Sequence, residues 1–200
     1  MHQFRTDPAN NSNQFRFAGQ SSNIGPIRPL LRTDARWVVE GQLSLFDEGS
    51  YFWDLLRRGK PKTEEVFEEV SKLCDKISGG TAVGSVATVD GRLVGMCKVF
   101  GLSNGLDFNG MLGVWVLKEH RRNGWGSQLL KDALYRSNGM FDNVKLWVSQ
   151  SNVEAIRLYK RFGFEIEETM PWPDTSGESF NIEIMNRKMP ARSRCYSALK

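Results

Sequence analysis

Between Thr63 and Ile77 the apolar residues Val66, Phe67, Val70, Leu73, Cys74 and Ile77 return every three or four positions. That spacing predicts a helix with one buried face. Glu64 and Glu65 at its start and Lys72 and Lys76 near its end suit the helix dipole, and Gly79-Gly80 stop it. Ala35, Val38, Val39, Leu45 and Phe46 predict an earlier helix, N-capped at Thr33-Asp34 and weakened by Gly41. Trp125, Leu129, Leu130, Ala133 and Leu134 predict a third, ending near Asn138-Gly139. Ser151-x-x-Glu154 reads as a capping box opening a fourth, which stops at Gly163.

Shorter apolar runs between these helices predict strands. Ile27–Leu31 holds Pro29 and suits a sheet edge. Thr81–Val89 and Arg92–Phe100 flank Asp90-Gly91, a two-residue hairpin signal. Met111–Leu117, Val144–Val148, Phe164–Glu168 and Phe180–Met185 complete the set. Asp47–Pro61 and Met170–Gly177, the latter with two prolines, read as connections. The order predicts an α/β (α+β) fold. Its mixed, mostly antiparallel sheet of six or seven strands is flanked by about four helices, without the regular alternation of a doubly wound sheet.

The length of 200 residues suits one domain, expected at 27–188, after a disordered leader at 1–26 and before a basic flexible tail at 189–200. The net charge of +4 sits in the stretch from Arg187 to the C-terminus. Arg187, Lys188, Arg192, Arg194 and Lys200 occur there with no acid, so the remainder sums to about −1. A basic tail can touch nucleic acid, but a solvated, frayed tail is the plainer reading. No apolar run is long enough to span a bilayer, and the leader lacks a secretory h-region. A cytoplasmic protein is expected; the acid-poor leader leaves mitochondrial targeting as the lesser reading. Cys74, Cys97 and Cys195 are scattered, and only His2 and His120 could join them, so neither a disulfide frame nor a metal site is expected.

Candidate chemistry concentrates at Arg121-Arg-Asn-Gly124-Trp-Gly126, between a strand and a helix. Glycines at such a junction bring bare N–H groups to an anion, and the helix N-terminus adds partial positive charge. The same turn can be a plain helix start. It is not a P-loop, because no Gly-Lys-Ser/Thr follows. A second group lies at Ser149-Gln-Ser-Asn152-Val-Glu-Ala-Ile-Arg-Leu-Tyr159-Lys-Arg-Phe-Gly-Phe164. Asn152 and Tyr159, seven residues apart, share one helix face, although Tyr159 could equally be a core aromatic.

Together the two segments resemble the GCN5-related N-acetyltransferase (GNAT) superfamily. Val116-x-x-Glu119-x-Arg121-Arg-Asn-Gly124-Trp-Gly126 matches its acetyl-CoA loop. Asn152-x-x-Ala155-x-x-Leu158-Tyr159-x-x-Phe162-Gly163-Phe164 matches its following helix and strand start. The resemblance implies acetyl transfer from acetyl-CoA, as co-substrate and without a metal, to a primary amine by direct attack in a ternary complex. It implies cofactor contacts from Trp115, Val116, Arg121, Arg122, Asn123, Gly124, Trp125, Gly126, Ser127 and Asn152. The N–H groups of Arg122 to Ser127 would hold the pyrophosphate, and the backbone of Trp115 and Val116 the pantetheine arm. Asn152 would bind that arm or hold the strands apart. The Val116 N–H would stabilise the oxyanion, and Tyr159 would protonate the leaving thiolate.

Two departures from the family pattern stand out. Lys118 replaces a frequent proline, and Met111–Val116 carries no acid, so the general base is unassigned, with Asp107 the nearest carboxylate. The acceptor site is expected at Asp47–Pro61 and Met170–Gly177. Tyr51, Phe52, Trp53 and Trp172 there could hold an amine by cation–π contact or simply cap the core. The expected partner is a small-molecule or protein amine, with no membrane; a homodimer stays open. A non-catalytic CoA-binding sensor is the alternative reading, and a nucleic-acid-binding protein using the basic tail ranks last.

Overall fold

Apolar alternation and turn chemistry lay the chain out as seven strands and four α-helices over the described residues, 27–49, 59–101, 108–173 and 179–190 of a computed structural model. The order is β1 (Ile27–Pro29), α1 (Ala35–Asp47), α2 (Thr63–Ser78), β2 (Ala82–Val89), β3 (Arg92–Gly101), β4 (Asn109–Val116), α3 (Trp125–Arg136), β5 (Asn143–Ser149), α4 (Val153–Arg161), β6 (Glu165–Pro173) and β7 (Ser179–Lys188). One sheet holds all seven strands in the order β1-β2-β3-β4-β5-β7-β6. Only β4 and β5 pair in parallel; every other neighbour is antiparallel. This is the expected mixed sheet, with the strand count settled at seven.

Helices cover both faces. On one, α1 and α2 bury Val38, Val39, Val66 and Val70 against Val86, Met96 and Trp115 of the sheet. On the other, Leu129, Leu130 and Ala133 of α3 and Tyr159 of α4 pack with Ala87, Cys97, Leu146 and Phe164. The central strands β2 and β3 therefore feed both cores, which is why they read as continuous apolar runs. No helix of the described residues is long and apolar enough to cross a membrane.

Several local expectations need correction. Phe67 does not join the buried face of α2 and is 45% exposed. Gly41 does not interrupt α1; it is buried, and the missing side chain admits the Trp115 indole. Asp34 stands at the N-cap of α1, yet its carboxylate makes no bond to that helix. It accepts both Arg28 guanidinium N–H groups at 2.7 Å and the Leu31 N–H at 2.9 Å, pinning β1 beside α1. Burial works against charge on Asp34, but these donors outweigh it and hold its carboxyl below the ordinary range.

The prolines at 171 and 173 do not end the last hairpin. β6 runs on to Pro173, with Trp172 opposite Phe180, because it is the sheet edge and Pro needs to donate no ladder bond there. Met189 follows β7, donates its N–H to the Asp142 carbonyl at 2.9 Å and is buried, so the packed core continues one residue into the expected tail. The leader at 1–26 and residues 191–200 lie outside the described residues.

Candidate active site

The parallel contact between β4 and β5 lasts only three rungs: Asn109 with Asn143, Gly110 with Val144, and Met111 with Lys145. Beyond them β4 stays bonded to β3 as far as Val116, and β5 to β7 as far as Ser149. The two strands thus part from Leu112 and Leu146 onward, and a wedge opens in the middle of the sheet.

Strand alternation decides what faces it. The Leu117 N–H bonds to the Val94 carbonyl on β3 at 2.9 Å. Backbone groups two residues back, at Trp115, turn the same way, and those of Val116 and Val114 turn toward the wedge. The Val116 carbonyl confirms this sense, because it accepts Arg121 Nε at 2.9 Å from outside the ladder. Trp115, expected to share in binding a ligand arm through its backbone, therefore faces Met96 with that backbone. Its side chain lies over Gly41 on the other face.

The glycine turn begins just past the wedge. Arg122 and Gly124 have left-handed backbone, at φ 68° and 83°. At Gly124 this conformation is free of strain, since no β-carbon is present. Asn123 is exposed between them. The first bond of α3 runs from the Gln128 N–H to the Gly124 carbonyl at 3.1 Å, and no side chain caps the helix. The N–H groups of Trp125, Gly126 and Ser127 therefore have no acceptor within the helix. The buried Trp125 indole anchors this start in the core. Three donors without an acceptor in the helix, at a helix N-terminus, form an arrangement that can seat an anion.

The charged side chains around the turn are paired with protein. Arg121 grips Glu48, at the C-terminal end of α1, through two bonds of 2.5 and 2.8 Å. Arg122 forms an ion pair with Glu154 of α4. The predicted capping box at Ser151 is not formed. Asn152 is the N-cap of α4, its Oδ1 accepting the Ala155 N–H at 3.2 Å, while the Ser151 hydroxyl meets that of Ser149 at 2.8 Å. Asn152 supplies the better cap one residue later, and Arg122 engages the glutamate that would have closed the box.

Tyr159 lies two turns further along α4. The residue is 7% exposed, and its ring meets Phe164 edge-on at 6.0 Å between centroids. The core-aromatic reading therefore holds for the ring. Tyr159 also lines the wedge cleft, so the two readings are compatible. Burial, with the nearby Cys97 thiol adding to it, pushes the phenol well above its ordinary pKa, and the hydroxyl keeps its proton at neutral pH.

The cleft, of about 1690 Å³, runs through the sheet. Val116, Gly124, Gly126, Asn152 and Tyr159 line one end; Trp115, Met96 and Val70 line the α1–α2 side. Trp147 of β5 also borders it, with its ring 6.1 Å from that of Trp172. Glu65, Glu69 and Glu154 are the described carboxylates on its walls, and none belongs to β4 or β5. Asp107, Tyr51, Phe52, Trp53 and part of Met170–Gly177 lie outside the described residues. Glu48, bound to Arg121 of the turn, and Trp147, on the cleft wall, are residues that sequence reasoning did not single out.

Comparison with known proteins agrees with this fold. Residues 50–164 match the Acetyltransferase (GNAT) family. The chain belongs to that family. A 55-residue stretch is 46% identical to N-alpha-acetyltransferase 50 of Danio rerio. That match covers 26% of this chain and spans only 33% of the relative. The phosphinothricin acetyltransferase of the GNAT superfamily from Sinorhizobium meliloti, solved in complex with AcCoA, shares the fold at a TM-score of 0.73 and 18% identity, covering 85% of this chain and 91% of its own. A GNAT-family acetyltransferase from Streptococcus pneumoniae does so at 0.71 and 20% identity, covering 82% and 99%. GNAT membership supports CoA-dependent acetyltransferase activity in general terms.

Proposed function

We propose that this GNAT protein transfers an acetyl group from acetyl-CoA to a primary amine by direct attack within a ternary complex. The observation carrying this reading is the alignment of the wedge, with the Val116 N–H on its wall, and the uncapped start of α3 beyond its mouth. The N–H groups from Arg122 to Ser127 would hold the cofactor's diphosphate. The Asn152 side chain spends its oxygen on the helix cap, which leaves its NH₂ for the cofactor arm. The Val116 N–H would donate to the oxygen that becomes negative as the amine attacks the thioester carbonyl.

The amine must lose a proton to react. A lysine-like amine, pKa about 10.4, is neutral in roughly one molecule in 2,500 at pH 7, a cost of about 4.6 kcal/mol. An α-amine of pKa about 8 costs only about 1.4 kcal/mol. Since neither wedge strand carries a carboxylate, we favour a low-pKa amine or proton removal through water. Tyr159 would return a proton to the leaving sulfur. Its raised pKa makes it a weaker acid than free tyrosine, but a thiolate released in the same buried place is also a stronger base.

The test is thiol release from acetyl-CoA against a panel of peptides with free N-termini, lysine, polyamines and amino sugars. Saturable release with at least one amine is expected. A thermal shift with acetyl-CoA but no release from any amine would replace the enzyme reading with a CoA-binding module.

A further inference from the structure

Arg121 stands in the glycine motif, yet its guanidinium is engaged by protein groups, the Val116 carbonyl and the Glu48 carboxylate. Nε caps the Val116 carbonyl at 2.9 Å, and the two terminal nitrogens hold the Glu48 carboxylate at 2.5 and 2.8 Å. The Glu48 side chain is 17% exposed and that of Arg121 is 35% exposed, so the pair is only partly withdrawn from water. Two parallel charge-assisted bonds fix both side chains in one plane.

Three parts of the molecule meet there. Val116 ends β4 at the wedge, Arg121 opens the anion-binding turn, and Glu48 follows α1 on the opposite face of the sheet. The Val116 carbonyl and N–H both point into the wedge. With the carbonyl oxygen engaged by Arg121, the wedge wall presents an N–H at this residue and no competing acceptor. The charge of Arg121 is balanced by Glu48, so the turn attracts an anion through backbone dipoles.

We propose that Glu48 is a positioning residue. Acting through Arg121, it fixes the Val116 peptide so that its N–H meets the acyl carbonyl, and it ties the end of α1 to the cofactor turn. The inference rests on the acetyltransferase reading above and assigns Glu48 a part in it.

The test uses the full chain and the variants Glu48→Gln, Arg121→Gln and their double combination. Acetyl-CoA affinity is read by calorimetry and turnover by thiol release at saturating amine; the Leu117 amide, bonded to Val94 and in the same peptide as the Val116 carbonyl, is read by hydrogen exchange without ligand. Glu48→Gln should lower kcat by roughly 10- to 100-fold, the scale of a misplaced oxyanion donor, while Kd stays within about threefold. Leu117 amide exchange should quicken by at least about 10-fold as the strand end loosens. The double variant should be no slower than the worse single one, because both break one device. Unchanged kcat and unchanged Leu117 exchange in Glu48→Gln would overturn the proposal. So would loss of acetyl-CoA binding in Arg121→Gln with Glu48→Gln at wild-type kcat, which would make Arg121 a direct phosphate ligand. If the unmodified protein binds no acetyl-CoA, the acetyltransferase reading fails. The exchange comparison still decides whether the clasp holds Val116.

Discussion

Trp115 and Gly41 meet across one core so closely that a β-carbon on Gly41 would stand 2.4 Å from the indole Cη2. The helix gives up side-chain bulk so that the strand carrying the wedge can seat its tryptophan. Substituting Gly41→Ala sets two effects against each other. Helix propensity favours alanine by about 1 kcal/mol, while overpacking a rigid ring costs about 1–3 kcal/mol. The clash is with a ring and not a flexible chain end, so net destabilisation is expected. Urea unfolding of the variant should show a lower midpoint at unchanged m-value, and a raised midpoint would refute the packing argument.

At the anion seat, Gly126→Asp is the informative change. A β-carbon at Gly126 would meet Leu158 Cδ2 at 3.4 Å, an ordinary contact, so the fold should accept it. The carboxylate would then oppose the diphosphate at the start of α3. Acetyl-CoA should raise the melting temperature of the parent protein and fail to raise that of the variant. Wild-type binding by a folded Gly126→Asp protein would move the seat elsewhere.

Tyr159→Phe keeps the ring against Phe164 and removes only the hydroxyl. Stability should change by about 1 kcal/mol or less. If the hydroxyl protonates the leaving thiolate, kcat should fall roughly 10- to 1,000-fold while acetyl-CoA affinity barely moves. Retained kcat, measured where chemistry limits the rate, would confine Tyr159 to the core.

Alkaline pH should unfold the protein through two buried groups. Burial, and behind it the charge of Asp132, pushes the Cys97 thiol up, and Tyr159 is raised in the same direction. Groups with raised folded-state pKa values contribute stability that is intact below their unfolded values and is lost above them. The melting temperature should therefore hold to about pH 8.5 and decline beyond it, each group adding a slope of about 1.4 kcal/mol per pH unit. Cys97→Ala should make the decline shallower. An equal slope in that variant would show that the thiol ionises without unfolding.

Most of the fold is legible in the sequence because each element repeats its own period and is closed by strong punctuation. Gly79-Gly80 ends α2, and Asp90-Gly91 turns β2 into β3. The turn at Gly124 and the Asn152–Tyr159 helix are legible for a related reason: their chemistry is written in consecutive residues. The Glu48–Arg121 pair is not, since 73 positions separate its partners and neither element marks the other. β6 outruns its expected end because a proline signals a break only where a ladder bond is required, and edge position is a property of the folded sheet. At the start of α4, Ser151 and Asn152 are both cap formers, and only the three-dimensional setting chooses between them.

The three rungs that join β4 to β5 act as the stop of a measuring rule. β4 and β5 are unpaired beyond Met111 and Lys145, so under the acetyl-CoA reading the vertex of the wedge would fix how far a thioester and its acyl chain reach between the strands. One further rung would advance that stop by about 3.3 Å, the rise of a parallel strand per residue, and one rung fewer would withdraw it equally. On that reading, selection among acyl groups by length would change with pairing at this join, with no side chain in the wedge replaced.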